Sequence, residues 1–411
     1  MTDWNKLTKQ LKALGVEFGK DRQANKPRPK KVPIESVIEG RFLHLAEGQV
    51  FCHEKHYPKD YVHGTKQILP NHPIQKLCQW ANAAPLSQCD FQNIIFLDTE
   101  TSGLAGGTGT YAFEIGAARY TDDGFHLAQF FMRHPGEELA LLSALSGFID
   151  GMQAVVTYNG KSFDLPLLNT RFTLAGIPNP FIGVDHFDLL HLARRLWRIR
   201  LESRTLGNVE QHILGVKRGK EEVPGYLIPE MYFEYLRTQD ARPLVGIFYH
   251  NAIDILSLAG LFSHLAFLLQ EPNTHIIQHS EDLVSLGRYF ETAGDDSQAV
   301  LLYTRALAEE LTNELRQDTR FRLSLILKRK GDWDAAQILW EQAARDRELY
   351  AFEELAKYFE HHAKDLQTAQ FWASQGKIVL AGSRLSTEEH KQWQSNFDHR
   401  LKRLARKLSS I

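Results

Sequence analysis

Apolar and polar positions divide the chain into stretches of different rhythm. From residue 93, short apolar runs closed by acids or turn residues follow one another, IIFLDTE, FEIGAARY, HLAQFFM and AVVTYNG, and each reads as a strand. Helical spacing then takes over in residues 188–197, 206–214 and 243–269, so residues 91–270 are expected to form a mixed α/β sheet flanked by helices. Beyond about residue 271 the spacing is helical throughout, and it repeats. Setting Gly294-Asp295 on Gly331-Asp332 places Ala299 on Ala336, Tyr303 on Trp340 and Ala306 on Ala343, a step of 37 residues. A weaker third unit follows after 33 residues, with Lys364 in the glycine position and Ala369 and Ala373 in the same slots. Residues 271–411 therefore read as an all-α helical-repeat domain.

The earlier part is less regular. Leu7, Leu11, Leu14 and Phe18 have helical spacing and lead into GKDRQANKPRPKK, so residues 1–33 read as a short helix and a flexible basic arm. Residues 34–90 alternate in short pieces such as Gln49-Val50-Phe51 among several prolines, which predicts a small strand-and-loop extension on the next domain. A length of 411 residues suits two or three domains, and 43% hydrophobic with 24% charged residues supplies a packed core. With 48 basic against 50 acidic residues the net charge is −2, so nucleic-acid binding would have to come from local basic patches. The three cysteines, Cys52, Cys78 and Cys89, fit neither a disulfide framework nor paired zinc knuckles and suggest a reducing, cytoplasmic setting. No signal peptide and no membrane span are expected: the most apolar stretch, residues 255–269, is short and interrupted by Ser257, Ser263 and His264.

Candidate chemistry lies in three separated motifs. Asp98 and Glu100, at i and i+2 of a strand, project from one face and can converge on a cation. In Tyr158-Asn159-Gly160-Lys161-Ser162-Phe163-Asp164 an apolar strand turns into a helix start. Ser162 or Asp164 could cap that helix, or Asp164 could face the first pair, with Phe163 packed inward to fix its direction. Finally, His250 and Asp254 lie one turn apart on the last helix of the α/β stretch, on a common face. Hard carboxylates without thiols suit Mg²⁺ or Mn²⁺. Two such cations about 4 Å apart can activate a water and neutralise a phosphate under attack, while a neutral histidine orients the water.

The run of DTETSGL, EIGAARY, TYNGKSFDLPLL, DLLHLARRLW, LGNVEQHILGV and HNAIDILSLAGL resembles the DEDD exonuclease superfamily of the RNase H-like fold, and within it the bacterial YprB-like group. The resemblance covers about residues 91–270. It implies that Asp98, Glu100, Asp164 and Asp254 bind two divalent metal ions and that the protein hydrolyses phosphodiester bonds from a 3′ end. It also implies that Ser102, Gly103 and Leu104 contact the terminal nucleotide; Thr99, Asn159 and Phe163 beside the acids are further candidates for substrate binding. One branch of the family places histidine five residues before the last aspartate, where this chain has Tyr249; another places tyrosine four before it, where this chain has His250. His250 is taken as the catalytic, water-orienting residue, with Tyr249 in reserve. The glycines of Ala105-Gly106-Gly107-Thr108-Gly109-Thr110 would let backbone approach a sugar or phosphate, but no Walker lysine follows.

Residues 283 to about 380 resemble tetratricopeptide repeats, which implies a protein partner on a curved surface. Arg194, Arg195, Arg198, Arg200 and Arg204, with Lys217, Arg218 and Lys220, are candidates for a track for single-stranded nucleic acid, and Tyr111 or Phe113 for a stacking surface. The cluster Cys52, His53, His56 and His63 lacks a second ligand pair at zinc-finger spacing. The expected function is a metal-dependent 3′–5′ exonuclease acting on single-stranded RNA or DNA. The alternative is a non-catalytic adaptor that binds nucleic-acid ends and recruits a protein through its repeats.

Overall fold

The computed structural model describes residues 31–81, 90–103 and 109–409. The expected N-terminal helix and most of its basic arm lie outside them, as do Leu104 and the residues up to Thr108. In chain order the elements are β1 (Arg41–Leu45), β2 (Gly48–Pro58), β3 (Val62–His63), β4 (Lys66–Gln67), α1 (Gln75–Trp80), β5 (Ile94–Thr101), β6 (Ala112–Thr121) and β7 (Gly124–Phe131). Then come α2 (Glu138–Phe148), β8 (Ala154–Thr157), α3 (Asp164–Ala175), β9 (Asp185–Asp188), α4 (Leu189–Trp197), α5 (Leu206–Val209) running into a π-helical turn (Glu210–Leu214), α6 (Ile228–Thr238) and α7 (Leu244–Gln270). The remainder is helical: α8 (Ser280–Thr292), α9 (Asp296–Ala308), α10 (Asn313–Lys330), α11 (Trp333–Arg345), α12 (Leu349–His361), α13 (Leu366–Ala381) and α14 (Thr387–Leu408).

Two compact units divide the chain, one within residues 1–190 and 205–264, the other within 191–204 and 265–411. The first is built on a seven-stranded mixed sheet of order β1-β2-β7-β6-β5-β8-β9. β5, β8 and β9 run parallel, and the other neighbours pair antiparallel. Part of the stretch expected as an extension is thus integral to the sheet: β1 and β2 continue it beyond β7, pairing Phe51 with Phe131 and Tyr57 with Phe125. β2 carries buried Val50, Phe51 and Cys52, and covering them as sheet strands removes more apolar area from water than a loop on the surface would.

Alternation along β5 sorts its side chains between two layers. Ile95 and Leu97 enter a core with Leu141 and Leu145 of α2, Leu168 and Phe172 of α3, and Tyr232 of α6. Phe96, on the opposite face, meets Phe262 of α7 edge-on, ring centroids 5.6 Å apart. Helix α7 spans 27 residues and is long and apolar enough to cross a membrane, yet two thirds of its most apolar window is buried inside the protein, as in a core helix.

In the second unit, three turns share one construction. Gly294, Gly331 and Lys364 all have positive φ (80°, 79° and 59°), and the aspartate that follows each, Asp295, Asp332 or Asp365, caps the next helix by accepting from the backbone N–H three residues on. Ala299, Ala336 and Ala369 are fully buried at equivalent positions, as are Tyr303 and Trp340. Lys364 adopts the glycine conformation despite its Cβ, so the turn, rather than residue identity, is what repeats.

Candidate active site

The period of β5 that buries Phe96 also carries Asp98 and Glu100 onto the α7 side of the sheet, at the strand's C-terminal end. Opposite them on β6 stand Gly116 and Glu114. Gly116 leaves the space that Asn251 of α7 fills: a Cβ there would lie 2.1 Å from Asn251 Oδ1. The Asn251 amide, fully buried, donates to Asp98 Oδ2 at 3.0 Å and accepts from Gln129 Nε2 at 3.0 Å. Gln129 also donates to Glu114 Oε1 at 2.8 Å, while Glu114 Oε2 is buried with no hydrogen-bond partner. Sequence reading missed Glu114, Gln129 and Asn251. EIGAARY contained the first, but its burial opposite Glu100 depends on register, which strand periodicity alone does not set.

Asp164 opens α3, and Phe163 rather than Ser162 or Asp164 occupies the N-cap, without a side-chain cap. Asp164 Oδ1 instead accepts from Thr99 Oγ1 of β5 at 2.5 Å, which ties the third acid to the strand of the first two. The preceding turn is held by Asp188, whose carboxylate accepts from the backbone N–H groups of Asn159 (2.8 Å), Lys161 (3.1 Å) and Leu190 (3.1 Å). Asn159 takes φ +66° to make that turn, so it shapes the loop through its backbone. The expectation for Phe163 is corrected: its ring does not pack inward but is 56% exposed at the wall of a cavity. That cavity, of about 580 Å³, is lined by Thr99, Glu100, Gly103, Ser162, Phe163 and Asp164 among others.

Helix α7 brings His250, Asn251 and Asp254 to the same place. His250 Nε2 lies 3.6 Å from Asp254 Oδ2 and 3.9 Å from Glu100 Oε1. The Tyr249 hydroxyl accepts from Gly219 N–H at 2.7 Å instead, so of the two candidates it is His250 whose ring meets the acids. Behind His250 stands a second layer. Arg218 donates to Glu210 through Nε (2.8 Å) and Nη2 (2.6 Å), to Glu222 Oε1 through Nη1 (2.8 Å), and to Asp254 Oδ1 through Nη2. His250 Nδ1 lies 2.8 Å from the same Glu222 Oε1 and 3.2 Å from Arg218 Nη1. Glu210, almost fully buried, begins the π-helical turn, an irregularity common where a side chain must be re-aimed.

Electrostatically this is a crowd of like charges out of water. Burial pushes the Asp98 and Glu100 carboxyls well above the ordinary range, and their acidic neighbours push further, with Asn251 opposing at Asp98. Burial also lifts Glu114 well above its usual value and Asp164 to about 6, the latter against the Thr99 hydrogen bond. At Asp254 burial raises the pKa while Arg218 and His250 counter it. Among the described residues no three ligands converge closely enough to hold a metal ion, and Asn251, Thr99 and Arg218 each engage an oxygen of a different acid. The donor set nonetheless fits Mg²⁺ or Mn²⁺ in kind: hard carboxylates, no thiol, and the orphaned Glu114 oxygen beside them.

Other expectations part from the structure. Phe113 is no stacking platform: it is fully buried and stacked on Tyr232 at 3.9 Å. Tyr111 already carries the Arg171 guanidinium over its ring. Of the basic residues proposed as a track, Arg218 is spent on three acids, Arg200 pairs with Asp282 and Arg204 donates to the carbonyls of Leu201 and Glu202, whereas Arg194, Arg195, Arg198, Lys217 and Lys220 are exposed. Ser102 Oγ accepts from Tyr111 N–H at 2.9 Å. Cys52, His53, His56 and His63 do not gather: His53 contacts the Glu39 carbonyl, His56 stacks on His126 and His63 meets Ser257 Oγ.

Comparison with known proteins adds three findings. Residues 95–266 match the family model RNase_H_2 of the RNase H superfamily. The chain is 36% identical over 323 residues to the uncharacterized protein YprB of Bacillus subtilis (strain 168), a match that covers 77% of this chain and 76% of that one. Among solved structures it is similar to the family B DNA polymerase of the hyperthermophilic archaeon Pyrobaculum calidifontis, at 18% identity and a TM-score of 0.33 over 52% of this chain and 29% of the polymerase.

Proposed function

Because this chain belongs to the family of Bacillus subtilis YprB and carries an RNase H superfamily domain, we propose that it is a metal-dependent 3′–5′ exonuclease acting on single-stranded ends. Superfamily membership accounts for nuclease-type chemistry in general. The finer reading rests on one observation: β5, α3 and α7 deliver Asp98, Glu100, Asp164 and Asp254 to one buried place beside a cavity, with His250 at its edge. Those four acids would hold two divalent cations, Mg²⁺ or Mn²⁺. When bound, the cations supply charge neutralisation at the phosphate and at the attacking and leaving oxygens. The protein's own groups do the rest. Phe163, exposed at the cavity wall, offers a face on which a terminal base can stack, and Thr99 and Gly103 bound the same cavity. Asn251 and Thr99 orient their carboxylates, and His250 Nε2, turned toward the acids, is placed to hold a water and accept its proton.

The test is a time course on 5′-labelled single-stranded RNA and DNA with Mn²⁺, Mg²⁺ or EDTA. A metal-dependent ladder shortening from the 3′ end, lost in both Asp98→Ala and Asp254→Ala, is expected. Activity persisting in both variants, or labelled strands bound but uncut, would overturn the proposal and favour the adaptor. Internal cuts would point to an endonuclease instead.

A further inference from the structure

We propose that Glu222 is a positioning residue that holds His250 with its proton on Nδ1, so that Nε2 presents a lone pair to the acids; the inference rests on the nuclease reading of the same site. The argument is one of proton accounting. His250 Nδ1 and Glu222 Oε1 lie 2.8 Å apart, and two acceptors at that distance need a proton between them. An ionised carboxylate only accepts, so the proton belongs to Nδ1. Arg218 Nη1 also comes within 3.2 Å of Nδ1 and can only donate, so it competes for that nitrogen; the carboxylate contact is the shorter by 0.4 Å, and Nη1 already donates to the same Glu222 oxygen at 2.8 Å, so imidazole and guanidinium converge on one acceptor.

The other side of the ring agrees. Nε2 stands 3.6 Å from Asp254 and 3.9 Å from Glu100, beyond direct hydrogen bonding and at a spacing that one bridging water can fill. The opposite tautomer would donate Nε2–H toward the acids, leave no acceptor for a water's proton, and set a bare Nδ1 against a carboxylate oxygen. Glu222 does not drift, because Arg218 fixes it, and Arg218 is itself held by both oxygens of Glu210. The chain Glu210, Arg218, Glu222, His250 is thus a brace that runs from the π-helical turn to the ring, and it follows the general rule that a histidine's far nitrogen is set by the bond its near nitrogen makes.

The experiment reads the tautomer directly, in the metal-free full chain. ¹⁵N-histidine spectra of the intact protein at alkaline pH, with the His250 signals identified by their loss in His250→Gln, should show a protonated Nδ1 and an unprotonated Nε2. In Glu222→Ala the remaining Arg218 donor should draw the ring toward the Nε2–H tautomer. Single-turnover cleavage should slow by about 10- to 100-fold, as is usual when an orienting partner is lost, while KM and calorimetric Mn²⁺ affinity stay put. Glu222→Asp should recover part of the rate. A wild-type ring protonated on Nε2 overturns the proposal, as does a Glu222→Ala variant that keeps both tautomer and rate, or one that loses rate and Mn²⁺ affinity together. The wild-type spectrum decides the matter even if no Glu222 variant folds. Because it requires no cleavage, its outcome is separable from that of the exonuclease assay.

Discussion

Asn251 serves two masters, and Gly116 makes that possible. Its amide can face Asp98 and Gln129 at once only because the residue across from Asp98 has no side chain. Gly116→Ala should therefore lower unfolding free energy by about 1–3 kcal/mol, the usual cost of forcing a methyl into a packed core, and slow cleavage as Asp98 loses its donor. Urea denaturation and the exonuclease assay check the two effects; an alanine variant as stable and active as the parent would show that the contact is slack. At this scale the sequence revealed the residues with obvious chemistry. Asp98, Glu100, Asp164, His250 and Asp254 do come together, and periodicity alone placed the first two on one face and the last two on another. It was blind to Asn251 and Glu222 and took Arg218 for part of a nucleic-acid track, because nothing in NAID or KRGKEE distinguishes a buried partner from a solvated polar residue. Phe163 errs the other way: an aromatic in such a motif reads as core, whereas here its ring lines an open cavity that the sequence does not announce.

Among the elements, the end of the helical unit offers a pH test. Glu360 of α12 is completely buried and meets Arg400, Arg403 and Lys407, which line one face of α14 at i, i+3 and i+7. Burial alone would raise its pKa, but the bonds from Arg403 and Lys407 outweigh that and bring it from 4.5 down to about 2. A carboxyl depressed on folding stabilises fully above its unfolded value and loses that contribution as pH falls through the folded value. Wild type should thus exceed Glu360→Gln in stability by about 2 kcal/mol above pH 4.5, allowing for solvent around the partly exposed Arg403 and Lys407, with the gap closing toward pH 2. Guanidinium titrations at stepped pH measure it, and a gap that stays constant would rule the clamp out. The helical hairpins themselves were legible, since glycine, aspartate and alanine recur at fixed offsets. β1 and β2 were not legible as sheet members, because β2 joins the sheet through β7, some seventy residues further on, and local pattern carries no pairing information.

For the whole molecule, the buried acids set stability against function. Asp98, Glu100, Glu114 and Asp164 are held out of water with few compensating cations, a costly arrangement that a bound divalent ion would relieve. Mn²⁺ should raise the melting temperature and EDTA reverse it. Asp98→Asn should melt roughly 3 °C above wild type in EDTA, as one repelling charge is gone, yet gain nothing from Mn²⁺. Calorimetry with and without metal reads both shifts; an Mn²⁺ response undiminished in Asp98→Asn would remove Asp98 from the ligand set. Hydrogen exchange should locate the metal's effect on β5, α3 and the first half of α7, and leave residues 280–409 unchanged. The change in rhythm near residue 271 marks where the chain becomes helical throughout, but neither the division after residue 264 nor the assignment of residues 191–204 to the second unit could be read from it, since both depend on contacts distant in sequence.

The way the site is mounted also sets what would be required to move it elsewhere. Its acids, amide and imidazole arrive on only three segments: β5 with two carboxylates and a threonine, the first turn of α3 with one, and two turns of α7 with three side chains. A designer grafting this chemistry onto another scaffold would face a three-body alignment rather than seven independent placements. The Glu210–Arg218–Glu222 brace would be the fourth piece, and the first to be omitted by anyone copying only the acids.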